Sequence, residues 1–234
     1  MYTKEIFEDL VMQQGAKQLI QASGEGKSSL VDALYRNLKS DLLCSKFGQG
    51  ERLIEERLTE RYGLASRTPV REVLARLKSE GLVGVSGRSF ISPEYTPKAL
   101  LQLYEVRLSL EILAVKHATN SDHDSSELHR CLTMMSDAQV CGDAIKVNAA
   151  DGLFHLTIAE MSGNEVLISM LSQIHEKVFQ IRNLFFTNEA REEDVIAAHA
   201  ILLAAIERGV ESVAVAEMAY HLTESRAKFN DQLP

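Results

Sequence analysis

In Ser66-Arg-Thr-Pro-Val-Arg-Glu-Val-Leu-Ala-Arg-Leu-Lys-Ser-Glu-Gly-Leu-Val83 the apolar side chains Val70, Val73, Leu74 and Leu77 recur at helical spacing, and the run stops at Gly81. The pattern predicts a helix from about Arg67 to Ser79. Ser66 is the expected N-cap, Pro69 is tolerated in the first turn, and Gly81 follows the end. Upstream, Leu30, Val31, Leu34, Leu38 and Leu42 mark a helix from Leu30 to about Cys44, and a shorter one fits Ile54 to Tyr62, stopped by Gly63. Downstream the period changes from near 3.6 to near 2. Leu82-Val-Gly-Val85 and Ser89-Phe-Ile91, joined across Ser86-Gly-Arg88, predict a hairpin. Three helices followed by a hairpin make a winged helix-turn-helix, assigned to residues 28–92.

Charge divides the chain at the same place. The net charge of -8 conceals 11 Lys+Arg against 8 Asp+Glu in residues 28–92, and 11 against 21 in residues 93–234. A basic module joined to a larger acidic one implies that only the first meets a polyanion, although two halves differing merely in surface charge would give the same count. The 45% hydrophobic content is ample for a core in 234 residues. Cys44, Cys131 and Cys141 have neither the spacing nor the even number of a disulfide framework or zinc knuckle, and they fit a reducing compartment. No apolar run reaches the roughly 18 residues of a membrane span, and the acidic N-terminus does not suit a secretory signal, so a cytoplasmic location is expected.

Residues 1–27 form an extension. Ile6, Phe7, Leu10, Val11, Leu19 and Ile20 place an amphipathic helix over residues 5–21, and an arm against a partner subunit is one use for it. Ala22 to Ser29 reads as a flexible linker; its Gly26-Lys-Ser28 is no phosphate loop, because Gln21 stands where the first glycine is needed and no strand precedes it. A proline-bracketed linker spans 93–97. Helical periodicity then fills residues 98–234, predicting six helices at about 98–119, 123–140, 143–162, 164–187, 190–208 and 210–231. The expected fold is mainly α, with the winged helix-turn-helix followed by a six-helix antiparallel bundle.

Arg67, Thr68 and Arg71 project from the first turn of the third helix, the part of a recognition helix that reaches base edges. Arginine presents a planar fork to guanine O6 and N7, and a helix N-terminus suits phosphate. Two solvated surface charges are the alternative reading. The phrase from Ser66 to Leu74, with Arg76-Leu, Glu80-Gly-Leu-Val83 and a glycine-containing wing, resembles the signature of GntR-type bacterial transcription regulators over residues 30–92. The resemblance implies a homodimer on a palindromic operator in double-stranded DNA, contacted through Arg67, Thr68, Arg71, Gly87 and Arg88. Two departures stand out: Gly63-Leu-Ala-Ser66 is one residue longer than the usual turn, and Glu56 replaces an arginine that faces DNA in some members.

Asp151 and His155, four residues apart, share one helix face and can ligate one ion, although such pairs are commonly surface ion pairs. His199 and His221 lie inside apolar helices, where an unpaired ring is costly. Four mixed N and O ligands from three helices suit a divalent transition metal, zinc first, with nickel, manganese or iron also compatible, and leave two octahedral positions open. Residues 98–228 are similar to the FCD effector domain of the FadR-like GntR subgroup, in its VanR-like branch. The similarity rests on Tyr104-Glu-Val-Arg107 with Glu111, Asp151-x3-His155, Ser162-Gly-Asn164, His199 and His221. It implies a metal on Asp151, His155, His199 and His221 and a small carboxylate effector beside it, paired with Arg107. Arg107 as an exposed arginine is the alternative. His117, His123, His129 and His175 are assigned to the surface.

An effector-responsive regulator, expected to act as a repressor, therefore leads over two rivals: a metal-dependent enzyme acting on a small organic acid, and a metal-free dimerisation scaffold. Neither HExxH nor GxSxG is present, no serine or cysteine has an obvious base, and catalysis gives the helix-turn-helix no role. No membrane partner is expected.

Overall fold

The computed structural model describes residues 2–12, 27–120, 124–185 and 194–230. The chain divides into two compact units: residues 13–95 form one, and residues 3–12 join residues 96–234 in the other.

The first unit is a winged helix-turn-helix of α2 (Lys27–Leu43), α3 (Glu55–Arg61), α4 (Thr68–Ser79) and the antiparallel pair β1 (Gly84–Ser86) and β2 (Ser89–Ile91). Leu34, Leu38 and Leu42 of α2 are buried with Val70, Val73, Leu74 and Leu77 of α4, so the two apolar stripes form one core. Polar contacts fix the angle between these helices. Tyr35 Oη donates to Glu80 at 2.7 Å, and Lys39 Nζ lies 3.0 Å from the same carboxylate. Burial pushes the Tyr35 phenol up to about 12, keeping it a donor.

Several local expectations change here. Ser66 does not cap α4: Arg67 is the N-cap, in the αR region and without a side-chain hydrogen bond, and Pro69 supplies the helix start instead. Leu82 and Val83 are not strand residues; they are buried just past the helix end, and the hairpin begins at Gly84. The register Ser86↔Ser89 leaves a two-residue turn in which Gly87 has φ 60°, as a tight hairpin requires at its first central position. Arg52 bridges to Ile91, and Leu53 N donates to Phe90 O at 2.9 Å, extending the wing by a third short segment. The linker placed at residues 22–29 is helical from Lys27, and its first five residues lie outside the described residues.

The second unit is an antiparallel bundle of α5 (Pro97–Thr119), α6 (Ser126–Val140), α7 (Ala144–Met161), α8 (Glu165–Phe185), α9 (Asp194–Glu207) and α10 (Glu211–Asn230). Its helix starts are chemically marked. Thr96 Oγ1 accepts from Ala99 N, Asp143 Oδ1 from Lys146 N, and Asn164 Oδ1 from Leu167 N. The Ser162-Gly-Asn164 motif is thus the turn and cap between α7 and α8.

Helix α7 is buried on nearly all sides from Val147 to Met161, packed by α5, α6 and α8. The N-terminal helix α1 (Tyr2–Val11) adds a further cover. Phe7 is fully buried, its ring 4.9 Å from Phe179, and it sits against Gly152, where a Cβ would lie 2.5 Å from Phe7 Cε2. Thr3 donates to Glu176, and Lys4 pairs with Glu160 at 2.5 Å. Residues 3–12 of the extension therefore seat on the helical unit of their own chain. The helix expected over 5–21 ends at Val11, and residues 13–26 lie outside the described residues.

Candidate functional site

In the first unit the start of α4 and the wing tip share one concave surface, lined by Arg52, Glu55, Glu56, Arg67 and Arg88 among others. Thr68, Gly87 and Arg88 are exposed, as are Arg67 and Arg71. Both recognition-helix arginines are already held by carboxylates from α3. Arg67 Nη2 donates to Glu56 Oε1 at 2.6 Å, and Arg71 engages Glu55 through Nε at 3.0 Å and Nη2 at 2.8 Å. The hydrogen bonds from Arg71 outweigh slight burial and hold Glu55 below the usual carboxylate range. Side chains this exposed, 57% for Arg67 and 70% for Arg71, gain little stability from such pairs. Their effect is on placement: Glu55 holds Arg71 through Nε and Nη2, and Glu56 sets a negative charge beside Arg67.

In the second unit α7, α9 and α10 bring three histidines together. The nitrogen donors of His155, His199 and His221 lie within 4.8 Å of one another, all buried. His155 Nε2 and His221 Nε2 are 3.3 Å apart, a spacing at which two imidazoles have one proton to share or one cation to bind. His199 Nδ1 is 2.7 Å from the Val195 carbonyl, so that nitrogen donates and Nε2 is left for another partner. That Nε2 has no hydrogen-bond partner among the described residues and faces Asp151 Oδ1 at 3.4 Å. A ring nitrogen and a carboxylate oxygen set face to face in a dry interior call for positive charge between them, a proton or a metal cation. Asp151 joins the histidines through this contact. Its other oxygen is taken by Arg182 Nη1 at 2.5 Å.

Titration follows from burial. Desolvation pulls the His155 pKa down to about 4, against the opposing pull of Glu111, and lowers His175 and His221 as well. Burial alone would raise Asp151; Arg182 and His199 outweigh it and hold the carboxylate well below its ordinary value. His155, His175 and His221 are therefore neutral and the aspartate ionised near neutral pH, the states in which a histidine and a carboxylate act as ligands. The donor set and the bare His199 nitrogen fit a divalent transition metal.

Arg107 is not an exposed residue. It is wholly buried, donates from Nε to Glu111 Oε1 at 3.2 Å, and has no hydrogen-bond partner for Nη1 or Nη2 among the described residues. A buried guanidinium with two unsatisfied amino groups is costly and favours an anion.

His175 is the clearest correction. It is 2% exposed and its Nε2 lies 2.8 Å from Glu111 Oε1; polar neighbours in the sequence had disguised an inward position on α8. His117 and His129 are exposed, His129 pairing with Glu207 at 2.8 Å, and His123 lies outside the described residues. Glu111, His155 and His175 also place three donor atoms within 4.8 Å. Arg107 and His175 both engage Glu111 Oε1, while Oε2 has no hydrogen-bond partner among the described residues. Arg182 was missed altogether. Its signal was a charge inside the apolar run Val178-Phe-Gln-Ile-Arg182-Asn-Leu-Phe185, the same cue that pointed to His199.

Residues 102–224 match the FCD domain family, and residues 30–90 match the bacterial regulatory proteins of the gntR family. The HTH-type transcriptional regulator McbR of Escherichia coli (strain K12) is 31% identical over 191 residues, covering 78% of this chain and 86% of McbR. A solved structure of E. coli McbR/YncC superposes with a TM-score of 0.74 at 27% identity, over 86% of this chain and 97% of that one. A putative GntR transcriptional regulator from Rhodococcus sp. RHA1 shares the fold, with a TM-score of 0.79 at 18% identity over 88% of this chain and all of that one.

Proposed function

Because the chain belongs to the gntR family of bacterial transcription regulators and carries an FCD domain, we propose that it senses a small organic acid at a metal-containing site and thereby controls its grip on DNA. It is a regulator and not an enzyme, as are the proteins it matches. The DNA partner follows from the family.

In the finer reading, residues 28–92 are the DNA-binding domain and bind an inverted repeat as part of a homodimer. Arg67, Thr68, Arg71, Gly87 and Arg88 meet the duplex. In the helical domain His155, His199 and His221, with Asp151, hold one divalent cation, zinc before nickel, manganese or iron. Bound there, such an ion supplies a Lewis acid for a carboxylate oxygen. Arg107 supplies a fixed positive charge for the remaining oxygens, and the helical bundle excludes water from both.

The observation that carries this reading is the wholly buried Arg107, with two amino groups unsatisfied among the described residues, in the same interior as three converging histidines. In a domain with an excess of acidic residues, such a site is a local positive well for an organic anion. The acid alters DNA binding only as far as it prefers one arrangement of the protein over another.

The test has two stages. Selection from random duplex DNA should return an inverted repeat. A panel of sugar acids, hydroxy acids and dicarboxylic acids should then contain a member that releases this DNA from zinc-loaded protein but not from metal-stripped protein. Release by neutral or cationic compounds alone, or release indifferent to metal, would overturn the reading.

A further inference from the structure

One oxygen atom in the bundle carries three cationic or potentially cationic neighbours. Glu111 Oε1 lies 3.2 Å from Arg107 Nε, 2.8 Å from His175 Nε2 and 3.1 Å from His155 Nδ1, and all four side chains are almost completely buried. They come from α5, α7 and α8. A carboxylate is expensive in such a place, and Arg107 and His175 hold it in one orientation. The orientation matters because of the two nitrogens of His155. The His155 contact is a close approach that falls outside hydrogen-bond geometry; a carboxylate oxygen on that side still favours the tautomer with its proton on Nδ1, which leaves Nε2 with the lone pair. His155 Nε2 is the atom that points toward His221. His199 is set the same way by a different acceptor, the Val195 carbonyl.

We propose that Glu111 is a positioning residue that fixes His155 as an Nε2 metal donor, with His175 and Arg107 serving to hold the Glu111 carboxylate in place. The proposal rests on the metal reading above. It gives His175, which no ligand role requires, a function at one remove from the cation. It also makes Arg107 a shared element, since the guanidinium that would receive an effector is braced by the carboxylate that orients a ligand.

The experiment measures zinc affinity of the full-length, metal-stripped protein by competition with a chromophoric chelator. It also records the visible absorption of the cobalt(II)-loaded protein, which reports the ligand field directly. Wild type, Glu111→Gln, His175→Phe and the surface control His129→Gln are compared, with thermal melts of each metal-free form. Glu111→Gln should weaken zinc binding on the order of 10- to 100-fold, the usual consequence of losing an outer carboxylate, and should change the cobalt spectrum. His175→Phe should weaken binding in the same direction by less, and His129→Gln should do neither. A purely structural role would lower the melting temperature while leaving the spectrum of the loaded protein unchanged. Zinc affinity and cobalt spectra identical to wild type in both buried variants overturn the proposal; should Glu111→Gln fail to fold, the His175→Phe result decides alone. Absence of zinc binding by wild type would instead remove the metal reading beneath it.

Discussion

His199 points its Nε2 at Asp151 Oδ1 across 3.4 Å, while its Nδ1 is committed to the Val195 carbonyl at 2.7 Å. A ring nitrogen and a carboxylate oxygen are thus set face to face in a buried place, with the donors of His155 and His221 close by. A metal cation between them makes the contact attractive and draws in the other two donors. Zinc should therefore stabilise the wild-type protein by about 2.7 kcal/mol at a free concentration 100 times the dissociation constant. His199→Ala should abolish both the stabilisation and stoichiometric metal. Thermal melts with and without zinc, with elemental analysis of the dialysed proteins, check this; an equal rise in melting temperature for the variant would contradict it.

The metal-stripped protein should lose stability in mild acid. Burial lowers the pKa of His155 to about 4 and also lowers those of His175 and His221, against an unfolded value of about 6.5. The unfolded chain then takes up protons first as pH falls. The contribution of these histidines is full above about 6.5 and is lost progressively toward 4, by up to ~1.4 kcal/mol per pH unit for each histidine. Urea midpoints at pH 7.5 and pH 5 should differ accordingly, and coincident midpoints would refute the neutral, buried assignment.

On the DNA face, Arg71→Ala should cost roughly 1 to 3 kcal/mol at the selected operator while leaving the melting temperature nearly unchanged, because the side chain is 70% exposed. Glu56→Gln should act in the opposite direction. It removes a negative charge that lies 2.6 Å from Arg67, so the duplex no longer competes with Glu56 for that guanidinium. Mobility-shift titrations at one fixed salt concentration test both, and weaker binding by Glu56→Gln would show that the pair serves to place Arg67 rather than to restrain it.

Arg107→Gln should keep operator binding and lose the response to the acid found in the panel. The substitution leaves a polar side chain but removes the only guanidinium bonded to Glu111 among the described residues. Release curves with the acid should shift by at least tenfold in concentration, reflecting the roughly twofold greater strength of charge-assisted hydrogen bonds at such a site. An unshifted curve would place the acid elsewhere.

The N-terminal helix should come away from the bundle when its seat is filled. A Cβ at Gly152 would lie 2.5 Å from Phe7 Cε2, and Phe7 is fully buried. Gly152→Ala and Phe7→Ala should each raise amide hydrogen exchange in residues 2–12 with little change in α9 and α10. The loss of global stability should stay below the 3 to 5 kcal/mol typical of Phe→Ala in a core, since a terminal helix can undock locally. Exchange that rises uniformly through the bundle would show that α1 is integral to its fold.

Local order was written in the chain. Periodicity of Val70, Val73, Leu74 and Leu77, the stop at Gly81, the hairpin after it and the long helical run from Pro97 each depend on residues within a few positions, and they yielded both units. All four proposed ligands could also be marked, Asp151 and His155 by their four-residue spacing and His199 and His221 because a histidine inside an apolar helix carries its own warning. The N-cap at Ser66 failed for the opposite reason: Pro69 sets the start of α4 without needing a side-chain cap, and two plausible local signals compete there.

Tertiary structure alone decided which polar side chains share an interior. Glu111 and His175 are 64 residues apart, and nothing near His175 distinguishes it from a surface histidine; only the packing of α8 on α5 turns it inward. The same holds for Arg182 on Asp151 and for the complete burial of Arg107. A helical repeat determines the face on which a side chain lies, whereas the worth of a buried charge depends on the partner that long-range packing brings within about 3 Å. Sequence by itself therefore determined a DNA-reading unit and a helical bundle with histidines in its core, and tertiary packing chose the carboxylates and guanidinia that give those histidines their protonation and direction.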